Sequence, residues 1–293
     1  MAKMNILQIF INGIVIGSIY LLISVGLAFT YGLLRFPNFS HAELITLGAY
    51  ASLIACSSNF DFITSLPFAF AISSLIALLV HILVFSFMMR MRCGMVELMV
   101  ASIGVGLVIR HVIQEVWGAK IYFLGFVRHV YEFCGVRIAD AEIFIMLFSA
   151  LSAIFLHLML TRTKVGIALR ASIENSSLAS ILGVDVERLT LFAWLVGGGF
   201  AGIGGALLAV QTRIIPQLGW EVLLSAFAVV ILGGVGNLHG AILSSYLIGL
   251  CESFGLTLLV NLGISSGYKS AISFIVILLA LIFKPKGLLG GEF

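Results

Sequence analysis

Polar side chains are scarce in this sequence, so chemistry is to be sought where they gather. The densest gathering inside an apolar region is Asn38, Ser40, His41 and Glu43, in the run Arg35-Phe-Pro-Asn-Phe-Ser-His-Ala-Glu43. An amide, a hydroxyl, an imidazole and a carboxylate so close together can donate, accept and carry charge for a polar solute. His41 and Glu43 stand two apart, which is poor geometry for joint metal binding on a helix, and no metal site is expected. Pro37 pushes Phe36 out of the helical region. Ser40, with Glu43 three residues on, has the pattern of a capping box. The spacing therefore predicts one helix ending near Arg35 and another starting at Ser40. Two readings are open for this cluster: a pore-facing helix start whose free N–H groups turn toward a cavity, or a cap that closes a broken helix.

A second run, Asn237-Leu-His239-Gly-Ala241, breaks the C-terminal half in a similar way. Paired broken segments in two halves can mark a transport path, so Asn237 and His239 join the path candidates. Arg110, His111 and Glu115 lie in the last two turns before Trp117. They are expected to snorkel to the membrane interface. Glu252 sits deep in an apolar run and should pair or face the bundle interior, with no partner apparent. His81 and His157 are read as packing residues. Nothing matches HExxH, a nucleophile elbow or GxxxxGK[ST]. The glycines around Gly233, Gly234 and Gly236 follow no β-strand, so close helix packing explains them better than a nucleotide loop. No catalytic residue, cofactor or ATP site of the chain's own is expected, and an ATP-driven process would need a partner.

The elements that must position these residues are membrane helices. The chain has 293 residues, 61% hydrophobic and 10% charged, with mean hydropathy +1.19. Soluble domains carry roughly 25% charged residues. A spanning helix takes about 20 apolar residues, so the chain has room for about eight to ten spans. The apolar runs are long and continuous, which selects helices over a barrel. The expectation is an all-α polytopic bundle, one membrane domain over 1–293, with broken or re-entrant segments near 36–43 and 233–240. Gly13 and Gly17 form a small-xxx-small packing face in the first span. A net charge of +3 is too small and scattered to imply nucleic acid. Cys56, Cys93, Cys134 and Cys251 lie far apart and suggest neither disulfides nor a metal. The first apolar run is too long for a cleavable signal core.

Thr161 to Leu189 is the one sizeable polar island, holding four of the 16 Lys and Arg and three of the 13 Asp and Glu. Within it Leu178, Ile181 and Leu182 share one helical face, with Glu174, Ser177 and Ser180 largely off it. Gly183 reads as a helix stop, and Asp185 as the cap of a new helix with Glu187 in its first turn. This is the pattern of a structured docking element. With about nine segments, Arg90, Arg92, the 161–189 loop, Lys284 and Lys286 all fall on one side, which the positive residues assign to the cytoplasm. The same count puts the N-terminus, with Lys3, outside. The loop from Lys120 to Glu142 then faces out as well, although Lys120, Arg128 and Arg137 reduce the contrast.

Five stretches together resemble the LivH-type permeases of branched-chain amino-acid ABC importers. They are Asn12-Gly-x3-Gly17-Ser-Ile-Tyr20, Asn38-Phe-Ser-His41-Ala-Glu43, the Gly166–Gly183 loop, Leu232-Gly-Gly-Val-Gly-Asn-Leu-His-Gly-Ala241 and Lys284-Pro-Lys-Gly287. Ser40 and Ala42 depart mildly from the family's usual small residues. The resemblance implies a coupling segment over 161–189 that contacts an ATPase, with Gly166, Arg170, Glu174, Leu178, Ala179, Ile181, Leu182 and Gly183 as its residues. Of the importers' Glu-Ala-Ala-x-x-x-Gly pattern only Ala179 and Gly183 agree; Ser177 stands where the glutamate would. The resemblance further implies a second permease, two ATPases, an extracytoplasmic binding protein and a multi-pass position in a prokaryotic cytoplasmic (inner) membrane, surrounded by lipid. Two other functions fit the residues: an ABC permease for urea or a short amide, and an ion-coupled transporter or channel using His41, Glu43 and Glu252.

Overall fold

The computed structural model describes residues 6–125, 129–133, 135–284 and 287–288. Lys3, Arg128, Cys134 and Lys286 lie outside the described residues. The helices in chain order are α1 (Ile6–Leu34), α2 (His41–Ser57), α3 (Phe62–Val80), α4 (Ser86–Arg90), α5 (Met95–Trp117), α6 (Asp140–Arg162), α7 (Lys164–Glu174), α8 (Ser176–Ile181), α9 (Val186–Gln211), α10 (Leu218–Gly233), α11 (Leu238–Asn261) and α12 (Lys269–Phe283). A π-helical turn over His81–Phe85 joins α3 to α4, so Phe62–Arg90 is one continuous apolar rod. Six helical rods are long and apolar enough to cross a membrane, α10 and α12 are shorter apolar helices, and α2 is a short helix of 17 residues. At 1.5 Å per residue, the 17 residues of α2 and 16 of α10 reach only about 24–26 Å, short of the roughly 30 Å hydrocarbon layer. Both shorter helices flank one of the two expected breaks.

The rods pack around α9, whose apolar stretch is 83% buried. Its glycines allow this. A Cβ built on Gly48 of α2 would stand 2.0 Å from the Gly202 carbonyl oxygen of α9, so the two backbones touch directly. Gly13 and Gly17 do the same for α1 against α11: a Cβ there would meet the Leu250 and Tyr246 backbones at 2.9 and 2.8 Å. Close approach of this kind substitutes dispersion contact for the hydrophobic drive that lipid does not supply. His81 is buried and stacks on Trp194 with ring centroids 5.3 Å apart, a packing residue whose Nδ1 has no hydrogen-bond partner among the described residues.

Sidedness follows from contacts between helix ends. Arg90 at the end of α4 pairs with Glu187 at the start of α9 at 3.1 Å, and Arg35, just past α1, donates to the Ile173 carbonyl of α7 at 2.6 Å. These define one face, with the 161–189 loop on it. The opposite, far face carries a hairpin of β1 (Val130–Phe133) and β2 (Val136–Ala139), in register Val130↔Ala139. Its Arg137 N–H donates to Gln8 Oε1 at 2.8 Å, which fixes the start of α1 on the far face. The hairpin is the one element the sequence reading did not anticipate.

Candidate translocation path and coupling loop

The break after α1 is built differently from a capping box. Arg35 takes a left-handed φ of 60°, ending α1. Ser40 is helical (φ −65°, ψ −13°) and caps nothing. Asn38 performs that task instead: its Oδ1 accepts from Ser40 N–H at 3.1 Å and from Ser40 Oγ at 2.6 Å. The Glu43 carboxylate turns away to α5, where Arg110 reaches Oε1 through Nε at 3.1 Å and Nη2 at 2.5 Å. The Ser40–Glu43 spacing was therefore a misleading signal. The serine hydroxyl is already engaged by Asn38, and a guanidinium outcompetes a neutral backbone N–H for a carboxylate. Snorkelling of Arg110 is corrected by the same contact. Its side chain is 12% exposed and its guanidinium lies 5.0 Å from the Trp220 ring centroid. His111 and Glu115, by contrast, are exposed.

Depth is set by neighbours along α5. Phe39 N–H donates to Ser102 Oγ at 3.0 Å, Glu43 pairs with Arg110, and the Tyr50 and Trp117 rings lie 5.0 Å apart. Thus α2 rises parallel to α5 from mid-depth to the far face, and His41 Nε2 sits 2.9 Å from the Ile23 carbonyl in the middle of α1. Asn38 Nδ2 and Glu43 Oε2 are buried and have no hydrogen-bond partner among the described residues. The cluster leaves one donor and one anionic acceptor unspent, beside a buried cation.

The second break is a turn on the loop face. Gly234 and Gly236 have φ of 95° and 80°, and Asn237 Oδ1 accepts from Gly240 N–H at 3.0 Å to start α11. Gly233 lies against Gly240, where a Cβ would stand 1.9 Å from its carbonyl oxygen. His239 Nε2 lies 2.8 Å from His157 Nδ1 of α6, so His157 is not the isolated packing residue its apolar surroundings suggested. This turn sits on the loop face, whereas the Asn38–Glu43 cluster sits at mid-depth beside α5.

Glu252 has the partners that sequence could not name. Tyr20 Oη (2.7 Å), Ser225 Oγ (2.6 Å) and Ser273 Oγ donate to it, and Lys269 Nζ lies 3.1 Å away. These residues come from α1, α10 and α12, far apart in the chain and without common spacing, so no pattern could reveal them.

The loop between α6 and α9 is folded. Thr163 caps α7 (Gly166 N–H to Oγ1, 3.1 Å), Asn175 caps α8 (Leu178 N–H to Oδ1, 2.9 Å) and Asp185 caps α9 (Arg188 N–H to Oδ1, 3.1 Å). Gly183 ends α8 with φ 86°, while Val184 N–H returns to the Ala179 carbonyl at 3.0 Å. Gly166 seats α7 on α6, since a Cβ there would stand 2.2 Å from the Met159 carbonyl oxygen. Ala179 points inward, whereas Leu178, Ile181 and Leu182 are 53%, 81% and 75% exposed. Arg170 and Glu174 are also exposed.

A helical bundle with one break at membrane depth, and with a capped loop-face helix presenting apolar side chains on one face, is a multi-pass membrane permease. The chain belongs to the family described as the branched-chain amino acid transport system / permease component, whose model matches residues 9–281. Relatives include a probable branched-chain amino acid transport permease protein LivH of Methanocaldococcus jannaschii, 30% identical over 95% of this chain and 91% of that protein. The high-affinity branched-chain amino acid transport system permease protein BraD of Pseudomonas aeruginosa is 27% identical over 97% and 95%. Among solved structures, PsaBC from Streptococcus pneumoniae in complex with Fab aligns with TM-score 0.51 at 13% identity, over 97% of this chain and 94% of that one, a likeness of fold alone.

Proposed function

We propose that this chain is the membrane-spanning subunit of an ATP-driven importer of branched-chain amino acids, resident in the cytoplasmic membrane. The observation that carries the reading is the match to permeases of such systems along nearly the whole chain. The exposed apolar face of α8 supports it from the structure, as a helix-in-groove anchor for an ATPase. In this reading two ATPases, a second permease and an extracytoplasmic binding protein complete the machine. The binding protein delivers substrate to the far face; ATP binding and hydrolysis move α8 and reorient the spans. The Asn38–Glu43–Arg110 cluster lies on the path, where Glu43 Oε2 and Asn38 Nδ2 offer an acceptor and a donor to a passing zwitterion. The named relatives favour branched-chain amino acids over urea or short amides.

The test is reconstitution in liposomes of the chain with its co-purifying subunits and the binding protein. Leucine uptake that requires ATP, with no uptake of urea, is expected. ATP-independent uptake by the chain alone, driven by a proton or sodium gradient, would overturn the reading.

A further inference from the structure

The Glu252 cluster is set apart from the path described above; Glu252 lines one of two adjoining cavities at the far face. One, about 270 Å³, runs beside α1 and α9; the other, about 360 Å³, runs beside α10 and α12. Tyr20, Leu208, Thr212 and Lys269 line both, so they share a wall. The walls divide by chemistry. Val15, Ile16 and Ile19 of α1, with Leu208, give an apolar side. Glu252, 1% exposed, and Lys269, 36% exposed, give an ion pair at the other. Lys269 is also the first residue of α12, a 15-residue helix, and Gly267 and Ser270 beside it line the cavity. The helix start thus faces the cavity with the positive end of its dipole.

We propose that this cavity is a receiving site for a zwitterionic amino acid with an apolar side chain, which meets it before entering the path. The proposal rests on the import reading above. Glu252 is the anionic pole and takes the substrate's α-ammonium. Lys269 and the α12 N-terminus are the cationic pole and take its carboxylate. The side chain lies against the α1 wall. In the structure the Lys269 ammonium occupies the place the substrate's own would take, 3.1 Å from Glu252 Oε2 and 5.8 Å from the Tyr20 ring centroid. Binding is therefore an exchange: the incoming ammonium displaces that of Lys269, which turns to the carboxylate. Buried charge stays compensated throughout, as a low-dielectric site requires.

The experiment uses the complete transporter in liposomes. Thr212→Cys is labelled with a membrane-impermeant maleimide, counting labelling above that of the parent, and leucine, leucinamide or 4-methylpentanoate is added as protector. Leucine is expected to protect; leucinamide, lacking the carboxylate, and 4-methylpentanoate, lacking the ammonium, are expected to need about tenfold or more higher concentration, the loss typical of one charged hydrogen bond. Lys269→Met should lower leucine uptake about tenfold or more, Lys269→Arg should restore most of it, and Lys120→Met, on the same face, should leave it unchanged. Equal protection by all three compounds, or wild-type uptake by Lys269→Met, would overturn the site while leaving the import reading intact. A wild-type transporter that takes up no leucine would overturn the import reading itself.

Discussion

Removing the apolar face of α8 should detach the chain from its ATPase without unfolding it. The perturbation is the triple change Leu178→Ala, Ile181→Ala and Leu182→Ala. These side chains are 53%, 81% and 75% exposed, so the area still open for burial by a partner amounts to about two whole leucine-sized side chains. Burying one such side chain contributes about 1.5–3 kcal/mol, which places the loss at roughly 3–6 kcal/mol, or about two to four orders of magnitude in Kd. Exposed positions contribute little to the fold itself, within about 0.5 kcal/mol each. Ala179, buried beneath them, stays in place to hold α8 on the loop. The assay is titration of the solubilised chain with the purified ATPase, alongside a thermal unfolding scan of the chain alone. Expected are an unchanged unfolding midpoint and a Kd raised at least a hundredfold. A Kd raised less than about tenfold would refute the assignment of this face, and so would a loss of affinity that tracks a lowered midpoint.

Three further outcomes follow from the same contacts. Arg110→Met leaves the Glu43 carboxylate buried and unpaired, at a cost of about 3–5 kcal/mol, seen as a lowered midpoint; adding Glu43→Gln should recover most of it, and a double variant no more stable than the single would show the pair is not coupled. Asn175→Ala removes the cap of α8 and should speed amide exchange over 176–181 about 2- to 30-fold, matching a cap worth about 0.5–2 kcal/mol, with the bundle unaffected. Gly48→Val should abolish folded expression, because its Cβ would overlap the Gly202 carbonyl, while Gly106→Ala should express normally, its new methyl finding its nearest neighbour at 3.6 Å.

The sequence carried the helices and their breaks plainly, because the signals are local. A charge-free apolar run, a proline after Phe36 and a pair of glycines at 233–234 each act within a few residues. Gly183 and Asp185 in the docking loop were legible for the same reason, since their roles involve backbone atoms only three to five residues away. What could not be read is pairing across the bundle. Glu43 finds Arg110, 67 residues on, and Glu252 finds Tyr20, 232 residues back. No spacing encodes which helix stands beside which, and the local capping-box pattern at Ser40 actively suggested the wrong partner. The hairpin over 130–139 escaped notice because strands of four residues are too short for alternation to stand out.

The loop face meets both helix breaks at a single residue. Ile173 of α7 is buried; its carbonyl accepts from Arg35 at 2.6 Å, and its side chain fills the space where Gly32 and Gly236 lack a Cβ. One residue of the docking loop is thus wedged between the end of α1 and the turn that starts α11. Arg35 opens the segment leading directly to Asn38 and Glu43. Packed interiors do not deform smoothly, so a wedge of this kind passes displacement on rather than absorbing it. A partner that levers α8 moves α7 through a junction of one residue, Asn175, which serves as the C-cap of one helix and the N-cap of the next. The α7 shift then bears on the two helix ends at once. The polar cluster at mid-depth is the next structured element along the first of them, so a continuous chain of packed residues runs from the exposed leucines of the loop face to an ion pair buried among apolar helices.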